Sequence, residues 1–185
     1  EYLMWNSIFR RAVTASDVAY EGGRGSAGFL SVIDPGKPEE TRLGRVIVLP
    51  AALYSHWGVK HTYIAQLELL AVLTAITQIA GLIRGTHSIW FVDNIAALMA
   101  LVKGSSGSNS LDQMARVVHM ACFAVRTVPY FEYVESKANW SDEISRKGAR
   151  GKWALRNDFA VGECNVLVEL LSLPCIAIVI VFEYL

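Results

Sequence analysis

The sequence has little charge and no net charge. Charged residues make up 18% of the 185 residues, and 17 Lys and Arg balance 17 Asp and Glu. A chain without net charge has no overall field that would steer it to a polyanion, so any contact with nucleic acid must come from a local basic surface. The hydrophobic fraction of 53% argues against extensive disorder, because a chain this apolar can bury a sizeable core.

The chain is also poor in cysteine. Cys122, Cys164 and Cys175 are odd in number, lie far apart and form no CxxC spacing, which argues against a disulfide framework and against a zinc site. We therefore expect an intracellular protein, in the cytoplasm or nucleus. The first residues lack both an initiator Met and the pattern of a signal peptide, which predicts a piece of a longer chain.

Hydrophobic periodicity and turn residues predict a meander of strands followed by alternating helices and strands. Three consecutive strands with short connections are typical of an antiparallel meander, and the later alternation is typical of helices packed on a mixed sheet. The fold class that we predict is α/β, with a mixed five-stranded sheet flanked by helices. Strands are predicted at 11–17, 26–33, 45–53, 88–92 and 130–134, and helices at 65–83, 94–103, 111–126 and 141–146.

The element pattern predicts one domain with a segment on each side of it. We expect a leader at 1–10, the α/β domain at 11–150 and a C-terminal extension of unknown role at 151–185. The extension ends in an apolar tail. Its Pro174 and its β-branched run at 176–181 favour a buried strand or packing arm over a membrane span, which makes membrane association an unfavoured alternative.

Four acidic residues stand at the ends of predicted strands or near helix starts. Taken singly, each has a structural explanation. Asp17 could begin a turn, and Asp93 could cap a helix. Glu68 and Asp142 could be acids that interact favourably with the positive N-terminal end of a helix dipole. Glu68 fits that explanation least, because a carboxylate inside an apolar helix is costly unless it is paired or binds a metal.

Taken together, these acids could meet at one edge of the sheet. The carboxyl end of a central strand is where open α/β sheets place their ligands. Mg²⁺ prefers oxygen ligands, and a pair of such ions can activate water and stabilise the leaving oxygen in phosphodiester hydrolysis. The pattern therefore favours a metal-dependent nuclease.

The segments that carry these acids resemble the motifs of a known family, the ribonuclease H (RNase H) domains that accompany reverse transcriptases. The Val-Asp-Asn motif and the terminal Asn-x-x-Asp-x-x-Ser-Arg motif are closest to those of retroelement domains. Each motif is weak singly, but four in this order are fairly specific, and the resemblance covers about 11–148. The segments are Ala15-Ser16-Asp17-Val18-Ala19, Gln66-Leu67-Glu68-Leu69, Trp90-Phe91-Val92-Asp93-Asn94 and Ser136-Lys137-Ala138-Asn139-Trp140-Ser141-Asp142-Glu143-Ile144-Ser145-Arg146.

This resemblance implies a specific activity. It implies an RNase H-like sheet and an endonuclease that hydrolyses the RNA strand of an RNA/DNA hybrid, linked to a polymerase or reverse-transcriptase domain. It also implies that Asp17, Glu68, Asp93 and Asp142 are the catalytic residues and hold two Mg²⁺ or Mn²⁺ ions.

The sequence departs from the family at one position and leaves the substrate open. Many family members carry a His in the loop that here is 135–138, and His56, His61, His87 and His119 all lie elsewhere. Resolvases, integrases and proofreading exonucleases share the fold. The Asp-x-Glu typical of the exonucleases is absent at Asp17, which leaves a DNA-directed resolvase or integrase type, or a catalytically silent binding module, as alternatives.

A basic segment follows the last predicted strand. Between 137 and 156 it carries six Lys and Arg but only Asp142 and Glu143 as acids, so it could be a solvated surface or a patch that contacts phosphates. We interpret Trp140 and Trp153 within it as packing residues. The residues that we predict to bind nucleic acid are Asn94, Lys137, Asn139, Arg146 and Lys147.

Overall fold

The computed structural model describes residues 10–21, 24–50, 53–54, 57 and 63–172. Within these residues a mixed sheet carries helices on its faces. The strands are β1 (Arg11–Glu21), β2 (Arg24–Ile33), β3 (Thr41–Val48), β4 (His87–Val92), β5 (Val128–Tyr133) and β6 (Ala160–Asn165). The helices are α1 (Ile64–Ile83), α2 (Ile95–Lys103), α3 (Asn109–Ala124), α4 (Asp142–Lys147) and α5 (Lys152–Arg156), with short 3-10 turns at Ser136–Ala138, Gly148–Arg150 and Val168–Leu171.

The sheet has the strand order β5-β4-β1-β2-β3-β6. The pairs β1–β2 and β2–β3 are antiparallel, which confirms the predicted meander. Strand β4 pairs in parallel with β1, and β5 pairs in parallel with β4, each after a helical crossover. At the other edge, β6 pairs in parallel with β3. The α/β class and the mixed sheet are therefore confirmed.

The number of strands is six, not the predicted five. The additional strand β6 lies within the segment that we predicted as an extension after residue 150. Its sequence, AVGECN, is short and contains a glycine, so it lacks the alternation that identifies a strand from sequence. The sheet thus continues past the predicted domain boundary, while the tail from 173 onwards and the leader at 1–9 lie outside the described residues.

The first and third strands also differ from the predicted bounds. β1 extends to Glu21, four residues beyond Asp17, because it pairs with β2 as far as the contact of Glu21 with Arg24. Asp17 therefore lies inside a strand and does not begin a turn. β3 begins at Thr41, earlier than the predicted 45, and ends at Val48.

The main core lies between the sheet and the three longer helices. α1 is buried along most of its length, with Leu67, Leu70 and Ile76 fully enclosed. Among the described residues α1 is the one helix long and apolar enough to cross a membrane, but 83% of its most apolar 18-residue window is buried inside the protein. A core helix of a soluble protein passes the same test, so α1 gives only weak support for a membrane span.

A smaller apolar cluster lies on the opposite face of the sheet, beneath α4. It consists of Leu30, Ile144, Ala154 and Phe159. α4 approaches the sheet closely because Gly28 of β2 has no side chain, and a Cβ added there would collide with the side chain of Ile144. This close approach brings the start of α4 beside the middle of β1.

Candidate active site

Two of the predicted acids lie side by side at the centre of the sheet. β1 and β4 are parallel and pair up to the contact of Ala15 with Phe91. Asp17 and Asp93 each come two residues later, and residues two apart in a strand point to the same face. β4 ends at Val92, so the two carboxyl groups meet where the neighbouring strands separate.

Glu68 joins this pair from α1. The sequence suggested that Glu68 lies in the first turn of the helix. It is the fifth residue of α1 and therefore lies in the second turn. Carboxylate oxygens of Asp17, Glu68 and Asp93 all lie within 4.8 Å of one another. We call these residues the acid cluster. The side chains of Asp17 and Glu68 are buried, with only 2% and 1% of their surface exposed, and Asp93 is half-buried.

Burial and mutual repulsion raise the pKa values in the acid cluster. The pKa of Asp17 is raised to about 7, and burial is the largest cause. The charges of Asp93 and Asp142 add to this rise, whereas a hydrogen bond from Ser145 opposes it. Burial, followed by the charges of Asp93 and Asp17, raises the pKa of Glu68 well above its usual range. Carboxyl groups this close stay ionised only when a cation compensates them.

The chemistry of the acid cluster fits a divalent metal ion. Each member offers one carboxylate oxygen, and such oxygens are the ligands that Mg²⁺ and Mn²⁺ prefer. Glu68 provides a second indication, because its buried Oε2 atom has no hydrogen-bond partner. A buried carboxylate oxygen without a partner is costly, and a metal ion would supply the missing interaction.

Asp142 lies beside the acid cluster without belonging to the group of three. It is close enough for its charge to raise the pKa of Asp17, but its Oδ1 accepts a hydrogen bond from Arg146 Nε at 2.7 Å. It is the first residue of α4, so its predicted position at the start of a helix is confirmed. That helix is not the last one, contrary to the prediction, because α5 follows it in the chain. Its role as a metal ligand stays a prediction.

Ser145 belongs to the terminal motif, but the sequence assigned it no role in the site. Its hydroxyl donates a hydrogen bond to the Asp17 carboxylate, and Ser145 is itself buried. The available signal was its spacing, since Ser145 lies three residues after Asp142 and therefore on the same side of α4. This contact ties the short helix to the acid cluster.

Two of the residues predicted to bind nucleic acid make contacts within the protein. The side chain of Asn94 accepts a hydrogen bond from Ala97 N at 3.0 Å, so Asn94 is the N-cap of α2 and Asp93 is not. Asn139 is buried, donates to Ser16 O at 2.8 Å and accepts from the Ser141 hydroxyl at 2.7 Å. Both residues hold loops beside the acid cluster, and their contact with nucleic acid stays a prediction.

The predicted basic residues lie on the exposed surface next to the acid cluster. Within α4, Arg146 pairs with Asp142, and Lys147 Nζ lies 2.8 Å from Glu143 Oε1. Lys137 lies exposed in the loop before α4. All three can reach solvent, and exposed ion pairs of this kind exchange partners at little cost.

Similar solved structures identify the class of fold. RNase H1 from the halophilic archaeon Halobacterium salinarum has a TM-score of 0.50 and 15% identity, over 80% of this chain and 98% of that one. LC9-RNase H1, a type 1 RNase H with the type 2 active-site motif, has a TM-score of 0.53 and 17% identity, over 75% and 69% of the two chains. The N-terminal RNase H domain of Rv2228c from Mycobacterium tuberculosis, solved as a fusion with maltose-binding protein, has a TM-score of 0.51 and 12% identity, over 80% and 98%.

These likenesses show that the chain has an RNase H-like fold. At 12–17% identity they define the fold and do not by themselves transfer an activity. No family model matches the sequence, and no curated protein matches it. The indications of a function therefore lie in the acid cluster and its surroundings.

Proposed function

We propose that the protein is a metal-dependent endonuclease that hydrolyses the RNA strand of RNA/DNA hybrids. The observation that carries the proposal is the acid cluster, in which three carboxyl groups from β1, α1 and the end of β4 converge although burial and repulsion oppose their ionisation. Such an arrangement destabilises the fold and is explained when the acids hold a cation used in catalysis.

The residues have distinct roles in this proposal. Asp17 and Asp93 would be ligands of the two Mg²⁺ or Mn²⁺ ions, and Glu68 and Asp142 would each hold one ion. When bound, the ions supply an activated water and stabilise charge on the leaving oxygen. Ser145 orients Asp17 through its hydrogen bond and favours the ionised carboxylate that a metal requires.

The choice of substrate is supported by the sequence motifs and by the fold. The resemblance to reverse-transcriptase RNase H motifs points to a hybrid substrate and to a longer polypeptide that includes a polymerase domain. The solved structures of similar fold carry RNase H names. Discrimination would depend on the 2′-hydroxyl and on the groove shape of the hybrid. An intracellular location, in the cytoplasm or nucleus, and no membrane association complete the proposal.

The test is a cleavage assay on three substrates. The protein is incubated with labelled RNA/DNA hybrid, duplex DNA and duplex RNA, each with Mg²⁺, Mn²⁺ or a chelator. We expect cutting of the RNA strand of the hybrid alone, and only with metal. Equal cutting of duplex DNA would assign the protein to the resolvase or integrase type, and binding without cutting of any substrate would support the silent module. The matched control is Glu163→Gln, an exposed acid on β6 at the far edge of the sheet, which should cleave normally.

A further inference from the structure

Two stacked tryptophans lie beside the acid cluster on the face of the sheet that carries α4. The rings of Trp140 and Trp153 are 6.1 Å apart between centroids and 20° from parallel. Trp140 also contacts Phe91, which immediately precedes Val92 at the end of β4. We call Trp140 and Trp153 the aromatic shelf. It continues from the acid cluster towards α5.

Packing accounts for only part of the aromatic shelf. Phe159 beneath it is buried, and Trp140 is half-buried against the small apolar cluster. Trp153 keeps 39% of its surface exposed, although its backbone is fixed by a hydrogen bond from its N–H to Glu143 Oε2 at 2.6 Å. A large aromatic ring that is held in place but left open to solvent is available to stack on a ligand.

An open cavity of about 210 Å³ connects the aromatic shelf with the site. Both tryptophans line it, together with Lys137, Asn139 and Asp142. Asn139, which lines the cavity, donates a hydrogen bond to the carbonyl of Ser16, the neighbour of Asp17 in β1, so the cavity lies beside the acid cluster. A strand whose phosphate lies at the acid cluster would pass within reach of this cavity.

The segment 137–156, which carries the aromatic shelf, has an excess of positive charge. The two acids of the segment 137–156 are compensated within α4, since Asp142 pairs with Arg146 and Glu143 with Lys147. The other four cations of the segment are exposed, and within the described part of the chain no carboxylate forms an ion pair with them. They are Lys137, Arg150, Lys152 and Arg156. Uncompensated cations around an open aromatic ring are typical of surfaces that bind single-stranded nucleic acid.

We propose that the aromatic shelf stacks an unpaired nucleobase, so that the preferred substrate is an RNA/DNA hybrid that borders a single-stranded segment. A base inside a duplex has both faces covered by its neighbours, whereas an unpaired base can offer a free face to Trp153. This inference rests on the proposed nuclease function and narrows its substrate class.

The experiment compares binding of blunt and overhanging hybrids without cleavage. In the presence of a chelator, labelled hybrids of equal duplex length are titrated with the full chain. One hybrid is blunt, and the others carry a short single-stranded RNA extension at the 5′ or the 3′ end. Stacking of one base contributes about 1–3 kcal/mol, which corresponds to about 5- to 150-fold in Kd. We expect one of the extensions to tighten binding by at least about 5-fold and to quench tryptophan fluorescence.

Substitution of Trp153 separates stacking from charge. Trp153→Leu keeps an apolar side chain but removes the ring, and should abolish the gain from the extension while leaving blunt binding within about 2-fold of the parent. Trp153→Phe keeps an aromatic face and should retain most of the gain. The matched control is Phe123→Ala on α3, a 72% exposed aromatic outside the site, which should behave as the parent. Circular dichroism confirms that each variant is folded.

Several results would overturn the inference. It fails if the parent binds blunt and extended hybrids equally, or if Trp153→Leu weakens both to the same degree. Should Trp153→Leu not fold, loss of the gain in Trp153→Phe would equally contradict stacking. Because binding is measured without metal, the test does not depend on cleavage. A preference for extended hybrids that requires Trp153 supports base stacking on the aromatic shelf even if no cleavage is detected. Cleavage without that preference contradicts base stacking but leaves the proposed nuclease function intact.

Discussion

Two aspartates of the same hairpin, Asp17 and Asp34, both have almost no solvent-exposed surface but have opposite electrostatic environments. Asp17 lies in the middle of β1 and Asp34 directly follows β2, with 2% and 3% of their surfaces exposed. Burial acts in the same direction on both and raises the pKa of a carboxyl group. The pKa of Asp17 is nevertheless raised to about 7, whereas that of Asp34 is lowered from its usual value.

The difference lies in the partners of each carboxyl group. At Asp34, burial is the largest single effect, but hydrogen bonds from Arg10 at 2.9 Å and Lys37 at 3.2 Å and from the Arg11 backbone N–H outweigh it together. At Asp17 the neighbours are other acids, and the opposing contribution is a hydrogen bond from the uncharged Ser145. Asp34 has charged hydrogen-bond partners within the fold, whereas Asp17 has none among the described residues, and the nearby charge of Arg146 does not prevent the rise of its pKa.

The two residues therefore affect stability in opposite ways as pH changes. The lowered pKa of Asp34 contributes stability that is present above about pH 4 and is lost as the pH falls through its folded-state pKa. The raised pKa of Asp17 means that the folded metal-free protein binds more protons than the unfolded chain between about pH 4 and 7, so stability decreases as pH rises through this range. A buried acid that weakens the fold at neutral pH indicates a functional site.

The largest effect that we expect comes from Asp93→Asn. This change keeps the size of the side chain, leaves the Asn94 cap of α2 in place and removes one charge from the acid cluster. Cleavage of hybrid should decrease at least about 1000-fold, or about 4 kcal/mol in activation free energy. Because repulsion decreases, the metal-free protein should be as stable as the parent or more stable at pH 8. Normal cleavage in the variant would remove Asp93 from the active site.

Asp34→Asn, the matched change on the other side of the comparison, should have the opposite effect on stability. Asn tolerates the φ of 52° at this position, so the main loss is charge. Because Arg10 is half exposed, we expect a modest loss of about 1–2 kcal/mol at pH 7, or a decrease of about 2–8 °C in Tm. Cleavage well below the melting temperature should be unchanged. A gain in stability here would contradict the assignment of Asp34 as a compensated structural acid.

Ser145→Ala tests how much the hydrogen bond from Ser145 lowers the pKa of Asp17, and its expected effect is of intermediate size. The hydrogen bond from Ser145 lowers the pKa of Asp17, so its removal should raise that pKa further. One hydrogen bond corresponds to up to about one pKa unit. We expect the acidic limb of the pH–rate profile to move to higher pH by that amount, with kcat recovering at alkaline pH. The exposed Ser172→Ala serves as the control, and an unshifted profile in Ser145→Ala would show that the contact does not tune Asp17.

The smallest effect is expected from the exposed cations of α4. If Arg146 and Lys147 contact phosphates, replacing both with Gln should weaken hybrid binding and reduce the dependence of log Kd on log salt by about one unit for each lost contact. Arg116→Gln, on the exposed side of α3, should leave the slope unchanged. An unchanged slope in the double variant would indicate that these side chains form only a solvated surface.

The acid cluster could be predicted from the sequence, whereas the ion pairs of Asp34 could not. The members of the cluster could be found because parallel strands and a central helix bring predictable positions to one edge, and because an acid in the apolar helix α1 needs an explanation. The compensation of Asp34 could not be found, because the sequence Asp34-Pro35-Gly36 indicates only a turn and Arg10 lies 24 residues away. Long-range ion pairs leave no local pattern.

The same limit applies to details of the site. Asp17 was placed at the end of its strand because the glycines after it indicate a turn, whereas pairing with β2 continues the strand to Glu21. Asp142 was placed correctly at the start of α4, but the hydrogen bond that it accepts from Arg146 depends on side-chain conformation, which the sequence does not specify. β6 was missed because an edge strand of six residues with a glycine has little pattern.

The most direct test of the account measures how metal changes stability at different pH values. Thermal unfolding of the parent is followed from pH 5 to 8 with a chelator and with Mn²⁺, and Asp93→Asn is measured in parallel. We expect the Tm of the parent in chelator, relative to that of Asp93→Asn, to fall as the pH rises. We also expect a stabilisation by Mn²⁺ that grows with pH and is smaller in the variant, because metal binding requires ionised carboxylates. A parent whose Tm does not respond to Mn²⁺ at any of these pH values would contradict the claim that the acid cluster is a metal site.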